Sequence, residues 1–163
     1  MDIHKAIATL TRSAIFKEWH EKNKEFFLAH AFLMLDEANK DTWQIGFYHP
    51  EKQRMVTFIL TGTSVQHTEE QEVMRSEAEI KQLQIENVKI TSDDALKEAK
   101  QCFTENYKGE MPLKEFFIIQ NAEGHTIFNI TYFTQSLKTI NIKINAADGK
   151  ILKHDRQSLA EFA

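Results

Sequence analysis

With a single cysteine, Cys102, this 163-residue chain has no internal disulfide, so its stability must come from packing alone. That suits a reducing compartment. Two prolines and five glycines leave few obvious breaks, so the organisation has to be read from periodicity. Basic charge is not in excess. Twenty Lys and Arg face twenty-four Asp and Glu, a net charge of -4 with no basic block, which argues against nucleic acid as a partner. Long apolar runs are missing too: the longest, Phe26 to Leu35, has His30 inside it and about half the length a membrane span requires. Residues Met1 to Lys5 lack the apolar run of a signal peptide. The expectation is a soluble cytoplasmic protein with no membrane partner. A chain of this size can bury about 68–70% of its unfolded surface in one unit, or in two small repeats sharing a core.

Local signatures of catalysis are also scarce. His20-Glu21 begins like the zinc-protease motif H-E-x-x-H, but Lys24 occupies the place of the second imidazole. Seven histidines are scattered, with no pair four residues apart on one helix and no cysteine pair nearby, so no metal is expected. Cys102 falls on the apolar side of a predicted helix and reads as a buried thiol. There is no Gly-rich phosphate loop and no G-x-S-x-G elbow. Asn129-Ile130-Thr131 matches a glycosylation sequon, yet it lies in the middle of a predicted strand. Glu69 to Glu72 reads as a solvated face. No catalytic residue and no cofactor are expected, and the chain is not read as an enzyme; a catalytic reading would need polar groups to converge on His30 or His125.

What is present is pattern. Sliding the chain by 85 residues against itself sets Phe32-Leu33-Met34 over Phe117-Ile118-Ile119, Trp43-Gln44-Ile45 over Phe128-Asn129-Ile130, and Ile59 over Ile144. Each half then reads as a helix followed by strands. Ile3 to His20 is amphipathic, and strands are predicted at about Phe26 to Leu35, Thr42 to Tyr48 and Arg54 to Leu60. In the second half Thr91 and Asp94 form a capping box ahead of Ala95, Ala99, Cys102, Phe103 and Tyr107, and Gly109 with Pro112 ends the helix. Strands follow at about Lys114 to Gln120, His125 to Phe133 and Lys138 to Asn145. Asp148, in Ala147-Asp148-Gly149, is read as a turn residue and not as a ligand.

The stretches "ITSDDALKEA", "HTIFNITYFT" and "TINIKINAADGKIL" together resemble the PepSY family. The resemblance runs from about Ile90 to Leu152; Asn145 stands where the family usually has Asp, and Ala146, Gly149, Ile151 and Leu152 follow. It implies modules similar to the repeats of beta-lactamase inhibitor proteins, which bind or restrain other proteins, often peptidases. It brings no catalytic residue. The expected fold is therefore α+β, two tandem repeats each with a helix packed on an antiparallel sheet: residues 1–62, a linker at 63–89 packing on the first repeat, and a PepSY-like repeat at 90–163.

The two halves differ in one respect. For Ile130 and Ile142 to share a face, the loop around Ser136 must be of odd length. The same register in the first half puts Trp43, Ile45, Phe47, Met55 and Ile59 under the helix. It leaves Tyr48, Val56, Phe58 and Leu60 on the opposite face, where the second half carries Phe133, Asn141, Lys143 and Asn145. An apolar second face needs a cover: the linker, a twin subunit, or a ligand or partner. Tyr48, Val56, Phe58 and Leu60 are thus the expected binding residues. The function expected is a non-enzymatic protein-binding or inhibitory module of PepSY type, acting on another protein such as a peptidase, or on itself as a homodimer. The alternative is an intracellular binder of a small apolar or amphipathic ligand, held between sheet and helix near Trp43, Phe47 and Phe58.

Overall fold

The amphipathic N-terminal segment folds as two helices. The Asp2 carboxylate accepts the Lys5 N–H at 2.9 Å and starts α1 (Ile3–Arg12). Ser13 then interrupts the helical run with extended backbone. Its hydroxyl donates to the Leu10 carbonyl at 2.7 Å and accepts the Phe16 N–H at 3.2 Å, closing one helix and capping the next, α2 (Ala14–Lys22). A single short polar side chain thereby divides what periodicity alone reads as one element. This computed structural model describes residues 2–73 and 79–159. Residues 74–78 of the expected linker and 160–163 of the expected second repeat lie outside the described residues.

The strands are β1 (Phe27–Met34), β2 (Thr42–His49), β3 (Arg54–Thr61), β4 (Ser64–His67), β5 (Gln71–Glu72), β6 (Pro112–Ala122), β7 (His125–Thr134), β8 (Lys138–Asn145) and β9 (Ile151–Ser158), with α3 (Ser92–Asn106) between β5 and β6. They form one antiparallel sheet in the order β4-β3-β2-β1-β6-β7-β8-β9, and β5 also pairs with β3. The fold is α+β and mostly sheet. β4 and β5 arise within the segment read as linker and are hydrogen-bonded to β3.

α3 opens on the expected capping box: the Asp94 N–H donates to the Thr91 hydroxyl at 3.0 Å and the Thr91 N–H to the Asp94 carboxylate at 3.5 Å. Asp148 is a turn residue. The Lys150 N–H donates to its carboxylate at 2.9 Å, and Gly149 takes φ +78°, which an L side chain rarely adopts.

The β2–β3 register departs from expectation. Between β7 and β8 stand three residues, Gln135 to Leu137, and Ile130 faces Ile142. Between β2 and β3 stand four, Pro50 to Gln53, with His49 facing Arg54. One extra loop residue moves every partner of β3 to the other face. Trp43, Ile45 and Phe47 therefore face Leu60, Phe58 and Val56, all in the core, while Met55 faces Tyr48 on the other side of the sheet. The core face continues through Ala31 and Leu33, Phe117 and Ile119, Phe128, Ile130 and Tyr132, and Ile140, Ile142 and Ile144.

Candidate functional site

None of the expected binding residues forms an open surface. Val56, Phe58 and Leu60 are 1%, 0% and 0% exposed. The Phe16 and Trp19 rings of α2 lie 5.4 and 5.0 Å from the Phe58 ring. Tyr48 lies on the far side of the sheet, buried edge-on against Phe27 at 5.7 Å. The space near Trp43, Phe47 and Phe58 is filled as well: all three are buried, with Phe16 and Trp19 5.2 and 5.7 Å from Phe47. His30 and His125 do not converge. His30 lies over Gly46 in mid-strand, and His125 is exposed at the β6–β7 turn. Among the described residues no three His, Cys, Asp or Glu gather into a metal site.

The open site is instead a groove of about 930 Å³ along one flank of α3. α3 turns Ala95, Ala99, Cys102 and Phe103 to the sheet over β7 and β8. It is pinned at both ends. Before it, the Lys89 and Ile90 N–H groups both donate to the Ala146 carbonyl, at 2.9 and 3.1 Å. After it, the Glu110 carboxylate takes the Ser136 hydroxyl and lies 3.4 Å from Lys138 and 3.5 Å from Arg156. The Ser136 hydrogen bond, with help from Lys138, holds the Glu110 carboxyl below the usual range. Tyr107 completes the anchor, its hydroxyl 2.6 Å from His154 Nδ1 and its ring under the Arg156 guanidinium at 5.7 Å.

Between these anchors the groove is lined by Leu96 and Phe103 from α3, Leu35 just after β1, and Pro112 and Tyr132 from the sheet, with the Phe103 and Tyr132 rings in contact in its floor, centroids 4.8 Å apart. Lys97 and Lys100 line it from the same helix and Lys108 from the turn that follows. Glu115 lies inside, and burial pushes its carboxyl up. Burial also pushes up the Tyr132 phenol, and the negative charge of Glu115 adds to the effect. The Tyr132 hydroxyl is buried, with the Glu115 carboxylate as its hydrogen-bonding neighbour. The result is a concave strip with an apolar floor and a lysine margin.

The sequence reading missed this site. Periodicity marks Ala95, Ala99, Cys102, Phe103 and Tyr107 as the apolar face of α3 and passes over Leu96. Leu96 widens that face toward Lys100 and Phe103, at i+4 and i+7, and was the one local signal available.

On the opposite face of the sheet, burial holds the His30 imidazole below its ordinary pKa. The cavity that adjoins it is lined by Glu79, Lys81, Glu123 and Lys143 among its charged groups. Because the folded state favours neutral His30, unfolding takes up a proton, and stability should fall as pH drops below the unfolded value of about 6.5. Urea midpoints between pH 7.5 and 5.5 should show this slope in the wild-type protein and a shallower one in His30→Gln; equal slopes would remove the assignment.

Comparison with known proteins gives little beyond the fold. No family model matches the chain, and no curated protein matches it. A solved structure of "a putative lipoprotein" from Clostridium difficile 630 is similar, with a TM-score of 0.55 at 11% identity, over 88% of this chain and 90% of that one. At that identity the likeness extends to the fold alone. No helix among the described residues is long and apolar enough to cross a membrane.

Proposed function

We propose that this chain is a non-enzymatic binding module that seats an amphipathic ligand in the groove beside α3. The observation that carries the reading is the lining itself: Leu35, Leu96 and Pro112, above the buried rings of Phe103 and Tyr132, leave an apolar strip of pocket size at the surface, where apolar area is normally buried. The ligand site moves from the Trp43 region, which is packed, to the flank of α3.

The architecture beneath it we read as two tandem repeats of PepSY type, each a helical segment followed by a four-strand meander. Several correspondences support this. Ala31 and Leu33 stand where Phe117 and Ile119 do, Trp43, Ile45 and Phe47 where Phe128, Ile130 and Tyr132 do, and Val56, Phe58 and Leu60 where Ile140, Ile142 and Ile144 do. β1 and β6 join antiparallel with Phe32 facing Ile118, as a local two-fold axis between the halves would require. The ungapped alignment fits β2 with β7 and slips by one residue on either side, because both flanking hairpin loops differ in length.

A second reading, the binding of another protein or of a twin subunit, is favoured by the face of the sheet away from the helices. There Phe32 and Phe116 stand 5.4 Å apart and Phe116 and Phe133 6.0 Å apart, all partly exposed. Native mass spectrometry of protein purified from its host tests both readings. Retained small-molecule mass that Phe103→Lys abolishes is expected for the groove; a dimer mass without bound ligand would favour the sheet face. A cytoplasmic location belongs to the proposal and rests on the free, buried Cys102 and the composition. The neighbour's printed name, lipoprotein, argues the other way, and cell fractionation separates the two.

A further inference from the structure

We infer that the ligand of the α3 groove is an anionic single-chain amphiphile, its acyl chain lying along Leu96, Phe103 and Leu35 and its carboxylate held by Lys97 and Lys100. This rests on the groove reading above and adds the charge and shape of the occupant.

Charge complementarity is the first argument. Three lysines line the groove, Lys97, Lys100 and Lys108, and none of them is in a salt bridge among the described residues. Three acidic residues line it too, yet one is compromised as a counter-charge: Glu110 is already engaged by Lys138, Arg156 and Ser136. Glu115 is partly buried, which raises its carboxyl pKa, and it stands near Lys100. Asp93 sits in the first turn of α3, where the helix N-terminus favours a carboxylate. With Glu110 engaged by Lys138 and Arg156, three lysines stand against two carboxylates, so the uncompensated charge of the groove is positive.

The second argument is shape. From Asp93 to Thr104 the helical flank that lines the groove extends about 16.5 Å at 1.5 Å per residue, a strip rather than a bowl. It suits one extended acyl chain better than a fused-ring molecule.

The test uses the full chain, delipidated, with laurate and its uncharged counterpart dodecanol as probes, read by amide chemical shifts and by calorimetry. Laurate should bind, shifting resonances of Leu96, Lys100, Phe103 and Tyr132. Lys97→Glu with Lys100→Glu should weaken it by about tenfold or more, the loss expected for a charged hydrogen bond, without changing the amide spectrum elsewhere. Lys143→Glu, on the opposite sheet face, should leave binding unchanged. If dodecanol binds the groove as tightly as laurate, or if the double charge reversal leaves laurate affinity unaltered, the anionic class is wrong while the groove reading survives. If neither probe shifts the groove resonances, the groove reading itself falls and this inference with it.

Discussion

Phe58→Ala should cost about 3–5 kcal/mol of unfolding free energy, the range for truncating a large aromatic ring in a packed interior. The side chain is fully buried, and the rings of Phe16, Trp19, Phe47 and His67 stand 5.4, 5.0, 5.6 and 5.2 Å from it. Two of these come from α2, one from β2 and one from β4, so the loss opens a cavity that no single element can collapse to fill. Ile59→Ala, one residue on and partly exposed on the other face, should cost less than half as much. Urea unfolding of the two variants compares the two faces of β3 directly. A larger loss at Ile59 would restore the register expected from the sequence and displace the one described above.

Gly46→Ala should cost about 1–3 kcal/mol despite adding only a methyl group. A Cβ built on Gly46 would stand 2.3 Å from His30 Cε1, 2.7 Å from Nδ1 and 2.8 Å from Nε2, well inside contact distance. His30 faces Gly46 across the β1–β2 pair, with a β-bulge just before it, between Leu28 and His30. The imidazole lies flat where a side chain on β2 would project, which is why only glycine fits there. The His30 ring must swing out or the two strands must part. The conflict is between two side chains, so it should vanish when either is absent. In a double-mutant cycle, Gly46→Ala in a His30→Ala background should be close to neutral, giving a coupling of about 1–3 kcal/mol. Additive losses would show that Gly46 is required for some reason other than the ring above it.

The two experiments probe features of very different legibility. The strands themselves could be read, because alternation such as Ile140, Ile142 and Ile144 against Asn141, Lys143 and Asn145 is a local consequence of the pleat. So could the α3 capping box and the Asp148 turn, since each depends on residues within three or four positions of one another. The break at Ser13 could not, because Ser is tolerated within helices and only the paired bonds to Leu10 and Phe16 show that it ends one.

The expected binding face failed on the parity of a single loop. Nothing local distinguishes a three-residue from a four-residue connection at Pro50 to Gln53, yet that one residue decides whether Phe58 points into the core or away from it.

The sequence by itself determined the α+β class, most of the strands and the starts of α1 and α3, through interactions that act over a few residues along the chain. The tertiary structure decided which sides of β2 and β3 share a core, that His30 rests on Gly46, and that a groove lies open beside α3. Each of those depends on strands and helices far apart in sequence meeting at distances of a few ångströms, and periodicity along one segment carries no record of what will stand opposite it.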